Sequence, residues 1–255
     1  MSDLRRVGEQ LRADLKVFAR NPAAMFFTAI LPIVFMVLFV SIFGNGTDKK
    51  LHVKISTLQV PGFIALAVTS ASFLGLAIGL VRAREDGVLK RVRGTPVPSW
   101  VVFAGRVGVA IFTAFGVSLL LLLIGKVLYG VDIKLSRVPA LLLTLAVGAT
   151  ALSAVGIFYS SVIPTFDAAP AMTNAVVLPL YFISGVFIPT SQLSHGLAQV
   201  ASVFPIKPLN DCLIACFNPL STYPWGKLAV LAAWGVGGLV LAVRTFSWVP
   251  RRDAE

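Results

Sequence analysis

Charged residues are scarce in this chain of 255 residues, and their scarcity excludes most classes of soluble protein. Only 13% of the residues are Asp, Glu, Lys or Arg, whereas typical soluble domains contain about 25%. Hydrophobic residues make up 57% of the sequence, which excludes intrinsic disorder because disordered chains combine low hydrophobicity with high charge. The composition therefore indicates a membrane protein.

The sequence also lacks the motifs that bind nucleotides and catalytic metals. No Gly-x-x-x-x-Gly-Lys-Ser/Thr loop occurs, so the chain cannot bind and hydrolyse ATP by the P-loop route. No His-Glu-x-x-His motif occurs either, and the two histidines, His52 and His195, are assigned no role. We predict that the two cysteines, Cys212 and Cys216, are small core residues, because a structural metal site usually needs three or four ligands.

What the sequence does contain is six long apolar stretches. They predict membrane-spanning helices in a single transmembrane domain over residues 1–255, since about 20 apolar residues in a helix cross the hydrocarbon layer. Their centres contain no ionisable residue, which argues against a proton-coupled transporter or an intramembrane enzyme and leaves a facilitator open. The predicted spans are residues 24–43, 58–81, 102–124, 138–160, 170–188 and 226–244.

Small residues recur every four positions along the second predicted span. A stripe of this kind allows another helix to approach closely, although such spacing also arises by chance in helices rich in glycine and alanine. The stripe consists of Ala67, Ala71, Gly75, Gly79 and Ala83.

Residues 3–20, before the first span, predict an amphipathic helix. Leu11, Leu15 and Phe18 recur at helical spacing on one side, and Arg5 and Arg6 lie among the charges of the other side. A helix of this kind beside a span is expected to lie in the plane of the lipid headgroups, the alternative being a plain leader helix.

The uncharged run from Ala168 to Ile206 is too long for one span. Its 39 residues would form a helix of about 58 Å, roughly twice the thickness of the hydrocarbon layer. The chain is therefore expected to turn back after the fifth span, in a broken or re-entrant hairpin at about 189–215. Irregular backbone at that depth survives only where it is buried in protein or lines a cavity.

The distribution of basic residues predicts the orientation of the chain. With six spans, 14 of the 22 Lys and Arg residues fall on the side of the two termini. The positive-inside rule places that side in the cytoplasm, so we expect a multi-pass protein of the bacterial inner membrane with both termini inside. The basic residues behind the net charge of +11 are expected to hold loops on the cytoplasmic side of the membrane. No nucleic-acid partner is expected.

The most charged segment follows the second span, at residues 82–99. Residues 84–93 predict a short cytoplasmic helix, with Val88, Leu89 and Val92 as its apolar edge. Two interpretations stay open on charge alone: a contact for a soluble, energy-supplying partner, or a topology anchor that touches only lipid headgroups.

The chain resembles a known family at this point. Its order of elements is similar to that of the membrane subunits of ABC-2-type exporters, especially bacterial drug-resistance and lipid-export permeases. Three groups of residues carry the resemblance: Glu85, Gly87, Leu89 and Thr95-Pro96-Val97 in the cytoplasmic loop; Asn174, Pro179, Phe182, Ser184, Gly185 and Pro189 in the fifth span; and Leu193 with Phe204-Pro205 in the hairpin. Ser194 and His195 stand where the family often has a proline.

The resemblance implies roles for these residues. The ATPase contact would consist of Arg84, Glu85, Asp86, Gly87, Leu89, Lys90, Arg91, Thr95 and Pro96, together with the leader helix. The substrate route would include Asn174, Pro179, Phe182, Ser184, Gly185 and Pro189, with spans one, two and five along it.

The resemblance also implies partners. Two separate ATPase subunits would bind ATP and Mg²⁺, a second copy or a paralogue of the permease would complete the transporter, and the chain itself would hold no cofactor or metal. The expected cargo is hydrophobic or amphipathic, such as a drug, lipid or polyketide. A polysaccharide or teichoic-acid-type polymer, and a membrane scaffold without transport, remain the alternatives.

Overall fold

The computed structural model describes residues 3–46, 54–94, 98–187, 194–218 and 220–246, and within these ranges the chain is helical and contains no strand. The helices are α1 (Asp3–Ala19), α2 (Pro22–Met25), α3 (Leu31–Phe43), α4 (Ile55–Thr69), α5 (Gly75–Glu85), α6 (Val88–Arg93), α7 (Ser99–Tyr129), α8 (Val138–Val162), α9 (Ala168–Ile183), α10 (His195–Val203), α11 (Ile206–Phe217) and α12 (Trp225–Thr245). Single π-helical segments, Phe26–Ile30 and Ser70–Leu74, join α2 to α3 and α4 to α5.

Several of these helices are long and apolar enough to cross a membrane. They are Ile55–Glu85, Trp100–Tyr129, Leu135–Val162 and Trp225–Thr245. Phe26–Ile42 and Ala168–Ile183 are apolar but shorter, and α10 and α11 form a pair bent by 100°. The prediction of an all-α polytopic membrane protein is confirmed, whereas the count of six spans stays a prediction.

At two places the helices end differently from the predicted segments because a glycine turns the chain. The fifth span was predicted to end at residue 188, but α9 ends at Ile183 because Gly185 turns the chain with φ of 80°. The cytoplasmic helix was predicted over 84–93, but Gly87 adopts φ of 69°, so residues 84 and 85 finish α5 and α6 begins at Val88. A left-handed residue cannot continue a right-handed helix.

The spans pack through small residues, as membrane helices commonly do. Gly156 of α8 faces the backbone of Phe73, and a Cβ on Gly156 would lie 2.9 Å from the Phe73 carbonyl oxygen. Gly235 and Gly238 bring α12 against α8 in the same manner. Within the small-residue stripe predicted on the second span, Gly75 is instead exposed. Ala67, Ala71 and Ala83 of the same stripe are buried, so the stripe faces protein along part of its length.

Loop contacts gather the helix ends into two groups. At one end, Asn45 and Lys54 both donate hydrogen bonds to the backbone carbonyl of Tyr129, and Arg137 donates to the carbonyl of Ser221. At the other end, Arg84 donates to carbonyls that follow α8. These contacts define two ends of the helix bundle. We call the group around Tyr129 and Ser221 the outer end, after the side to which the basic-residue count assigns it; the orientation itself stays a prediction.

Candidate coupling site and membrane cleft

The chain changes direction at Gly87, between α5 and α6. The N–H of Asp86 bonds to the carbonyl of Arg82 at 2.9 Å, and the N–H of Gly87 bonds to that of Arg84 at 3.2 Å, which closes α5. No atom lies within 4 Å of a Cβ built on Gly87, so its surroundings would admit a side chain. The left-handed backbone alone favours glycine at this position.

Helix α6 has one buried anchor and a basic exposed surface. Leu89 is fully buried, whereas Lys90, Arg91 and Arg93 are exposed and Val88 is 42% exposed. An anchored helix that presents three cations suits contact with a soluble protein. Thr95 and Pro96 lie outside the described residues.

Arg84 occupies a different position from its α6 neighbours. Its side chain is buried, and its guanidinium donates from Nη2 to the Ile163 carbonyl at 2.7 Å and from Nη1 to the Ser160 carbonyl at 3.2 Å. These carbonyls belong to the C-terminal end of α8, where helix groups lack partners and the dipole favours a cation. The prediction that Arg84 contacts an ATPase directly is therefore corrected: the buried side chain positions α8 instead.

Glu85 contacts the same turn between α8 and α9. Its Oε1 accepts a hydrogen bond of 2.8 Å from the backbone N–H of Phe166, although it was predicted as an ATPase contact. The guanidinium of Arg82 lies 5.4 Å from the Phe166 ring centroid. Asp86 pairs with Arg82 at 3.6 Å, and both side chains are 60% exposed, so that pair contributes little. We call Arg84, Glu85 and the turn 163–166 the clamp; it links the end of α5 to α8 and α9.

Helix α1 packs along α7. Leu11, Leu15 and Phe18 are half-buried, and a Cβ on Gly108 of α7 would lie 3.2 Å from Leu11 Cδ1. Arg12, Lys16 and Val17 are exposed on the other side. This arrangement agrees with the predicted amphipathic stripe, while the side chains of Arg5 and Arg6 lie outside the described part of the chain.

The Ser-Gly element of the fifth span forms a buried junction. Ser184 is fully buried, and its carbonyl accepts a hydrogen bond of 3.0 Å from the Asn210 side chain on α11. After Gly185 the chain passes so close to α4 that a Cβ on Gly62 would lie 2.6 Å from the Val186 carbonyl oxygen. Ser184 and Gly185 therefore join span five to α4 and α11.

The other residues of the fifth-span signature lie apart from this junction. The Asn174 side chain donates to the Pro170 carbonyl at 2.9 Å within its own helix, and Pro179 and Phe182 are exposed. Pro189 lies outside the described residues. The substrate route through this set of residues stays a prediction.

Aromatic rings surround Phe187, immediately after the junction. Its ring lies 5.4 Å from Phe35 and 5.6 Å from Phe39 of α3, measured between centroids. It also lies 5.9 Å from Tyr181 and 5.3 Å from Phe182 of α9. Phe187 thus brings α3 beside the end of α9.

An apolar cleft of about 770 Å³ opens between α9 and α12. Its lining includes Phe73, Tyr159, Val177, Leu180, Phe204 and Trp234, and α8 contributes its floor. The Trp234 ring stacks on Phe204 with centroids 6.4 Å apart, and its indole N–H donates to the Val203 carbonyl at 2.6 Å. None of the predicted route residues that the structure describes is among those lining this cleft, and neither is span one.

The sequence analysis missed a charge cluster at the outer end. Lys207 donates to Asp211 Oδ1 at 2.8 Å, and Lys227 at the start of α12 pairs with Asp211 Oδ2. The side chains of Lys207 and Asp211 are only 8% and 13% exposed. Their spacing of four residues inside the predicted hairpin was the available signal, since opposite charges at that spacing meet on a helix. Cys212 and Cys216, beside the cluster, are buried in the main core.

Comparison with known proteins assigns the family. A sequence profile described as ABC-2 type transporter matches residues 9–218. The chain belongs to the ABC-2 type transporter family. It is therefore the permease of an ABC transporter, a multi-pass membrane protein that works with ABC ATPase subunits.

Two relatives illustrate the range of this ABC-2 family. The chain is 27% identical over 183 residues to the inner membrane transport permease YadH of Escherichia coli K12, covering 70% of this chain and 71% of the relative. It is 24% identical over 152 residues to the probable multidrug ABC transporter permease YbhR of the same strain, covering 60% of this chain and 41% of that relative.

Proposed function

We propose that this permease exports a hydrophobic or amphipathic molecule, using ATP hydrolysed with Mg²⁺ on a separate subunit. The chain is not an enzyme by itself in this proposal, since its sequence contains no P-loop. The multidrug name of one relative supports a cargo of this class.

The observation that carries the proposal is the geometry of the α5–α6 corner. Buried Leu89 anchors α6 while Lys90, Arg91 and Arg93 face outward, as a surface that docks a soluble ATPase requires. The clamp then connects this corner to α8 and α9. A displacement of α6 by the ATPase would reach spans four and five through the hydrogen bonds that the side chains of Arg84 and Glu85 make to the backbone after α8.

The lining of the cleft supports an apolar cargo over a polymer. A polysaccharide route would be expected to present hydrogen-bonding side chains, whereas the cleft between α9 and α12 is lined almost entirely by aliphatic and aromatic groups. Tyr159 and Trp234, which carry polar atoms, already donate to the carbonyls of Met172 and Val203.

The complete transporter would contain a second copy or a paralogue of this permease and two ATPase subunits. Exposed apolar stripes on adjacent helices support a dimer surface. Val34 and Leu38 of α3 are 41% and 49% exposed, and Leu178 and Phe182 of α9 are 49% and 50% exposed. Phe187 holds the two helices side by side. In the inner membrane both termini would face the cytoplasm, with α6 on the same side.

Transport by reconstituted protein tests this proposal. The permease and its partner ATPase would be placed in liposomes, and ATP-dependent movement of a fluorescent amphiphile would be followed. The double variant Lys90→Glu/Arg91→Glu reverses the exposed charge of α6 and should abolish transport. Lys134→Glu, an exposed change at the outer end, is the matched control and should leave transport intact. Normal transport by the double variant, or none by the wild type, would contradict the proposal.

A further inference from the structure

One face of α12 connects the charge cluster to the apolar cleft. Val230, Trp234 and Leu241 of this helix line the cleft between α9 and α12. Lys227 precedes Val230 by three residues and Trp234 by seven, which places all of them on one side of the helix. Lys227 is 47% exposed and lies at the outer end of α12. The cleft therefore has a cation within about one helical turn, or roughly 5 Å along the axis, of its outer rim.

A second cation, Lys207 of α11, lies beside Lys227 across Asp211, and its side chain is 8% exposed. Lys207 directly follows Ile206, which lines the cleft, and it shares the single carboxylate of Asp211 with Lys227. Arg137, bound to the Ser221 carbonyl, adds a further positive charge to the outer end. Among the described residues of this cluster, positive charge thus exceeds negative charge by at least one. A ligand with an anionic head is complementary to this net positive charge.

The rest of the cleft offers no comparable polar group. The hydroxyl of Thr69 donates to the Ala65 carbonyl, and Tyr159 and Trp234 donate to backbone carbonyls as well. Phe73, Phe158 and Phe204 add aromatic surface. A ligand that fits must therefore carry its charge at one end and be apolar along the remainder.

We propose that the cleft binds an anionic amphiphile drawn from the bilayer. A phosphate head would lie at Lys227, and the apolar body would lie between α9 and α12 against Trp234. This inference rests on the proposed function and narrows its substrate class. Because the cationic rim is at the outer end, the site would hold the amphiphile with its head on the side to which it is exported.

Quenching of Trp234 by brominated lipids tests the site directly. A variant that keeps Trp234 and replaces Trp100, Trp225 and Trp248 by Phe would be reconstituted in vesicles of dioleoyl phosphatidylcholine. Increasing fractions of brominated phosphatidylglycerol or brominated phosphatidylcholine would then be added without ATP or ATPase. The matched control is a second variant that keeps only Trp100. This residue of α7 lies in a different groove, formed by α7, α8 and α12.

The expected result is selective quenching of Trp234 by the anionic lipid. Charge-assisted contacts should give an apparent preference of about tenfold over the zwitterionic lipid, with no such preference at Trp100. Lys227→Gln should reduce the preference, Lys227→Arg should retain it, and Asp211→Asn should increase it. These opposite directions separate a charge effect from loss of folding, which would change all variants alike.

Other outcomes would overturn the inference. They are equal quenching of Trp234 by both lipids, a preference that survives Lys227→Gln, or the same preference at Trp100. Because the measurement involves no ATP, a failure here leaves the exporter proposal standing. Conversely, a permease that binds anionic lipid but transports nothing would contradict the exporter proposal and leave the lipid site standing.

Discussion

The guanidinium of Arg84, at the end of α5, donates a 2.7 Å hydrogen bond to the backbone carbonyl of Ile163, just beyond the end of α8. The two residues are 79 positions apart in sequence. Together with the bond from the Phe166 N–H to Glu85, this contact makes the end of span two and the turn after span four one mechanical unit. Helix α6, the proposed ATPase contact, is attached to that unit through Gly87.

Removal of the Arg84 side chain is expected to uncouple the spans from α6. Arg84→Ala leaves buried carbonyl groups unpaired. Each acceptor that water does not reach lowers the free energy of unfolding by about 1–3 kcal/mol. Arg84→Lys keeps the charge but loses the forked geometry, so we expect partial transport. ATP-driven transport and the thermal midpoint in detergent would be measured together. Full transport by Arg84→Ala would show that the clamp is not part of coupling.

Substitution of Gly87 is expected to act through the backbone. A Cβ residue at φ of 69° costs about 1–2 kcal/mol, and no neighbouring atom opposes the side chain itself. Gly87→Asn should therefore retain most activity, Gly87→Ala should lose some, and Gly87→Val should lose most. The order of transport rates across these three variants is the test. An effect that grows with side-chain volume alone, with Asn worse than Ala, would contradict this explanation.

Gly62 is expected to tolerate no side chain. The Cβ of Gly62→Ala would lie 2.6 Å from the Val186 carbonyl oxygen, and this obstacle is backbone rather than a movable side chain. Overpacking of this kind costs about 1–3 kcal/mol and would displace the Ser184–Gly185 junction. Gly116→Ala on α7, where nothing lies within 4 Å of the added Cβ, is the matched control. Equal thermal midpoints for the two variants would refute the close approach.

Tyr223 is expected to make the outer loop sensitive to high pH. Burial raises the pKa of its phenol to about 12. Because Thr144 donates its own hydroxyl hydrogen to the Ala140 carbonyl, the 2.6 Å contact between Thr144 and Tyr223 requires the tyrosine to donate. Its contribution to stability is therefore complete below pH 10, the ordinary pKa, and is lost as the pH rises through about 12. The free energy of unfolding of wild type and of Tyr223→Phe would be measured between about pH 9 and 12. We expect the difference between the two proteins to disappear at the high end of this range. A difference that stays constant with pH would contradict the prediction.

Local sequence patterns were sufficient for the helices but not for their contacts. Apolar runs predicted the positions of α4–α5, α7, α8 and α12, because the bilayer demands continuous hydrophobic helices wherever they pack. The burial of Arg84 was not predictable, since its partners come from a turn 79 positions away. The family resemblance, and not any contact visible in the sequence, assigned Arg84 to the ATPase contact.

The small-residue stripe shows the same limit. The spacing of Gly and Ala on span two suggested a close packing face, but the glycines whose Cβ would lie under 3.0 Å from a neighbouring backbone are Gly62, outside that stripe, Gly156 of α8 and Gly238 of α12. Many small residues satisfy the spacing rule, and only the tertiary arrangement decides which of them meet a neighbouring backbone. The Lys207–Asp211–Lys227 cluster likewise depends on the fold of the bent α10–α11 pair, which brings α11 against the start of α12.

The central claim is that α6 docks a separate ATPase, and site-specific crosslinking tests it most directly. A photoreactive maleimide would be attached to Lys90→Cys in a variant with Cys212 and Cys216 replaced by Ala, and the tagged chain would be purified in mild detergent. We predict a crosslinked partner that contains a Walker A motif. The same label at Leu135→Cys, at the outer end, should give no such product. A purified complex that contains no ATPase, or equal crosslinking of the ATPase from positions 90 and 135, would contradict the claim that α6 docks the ATPase.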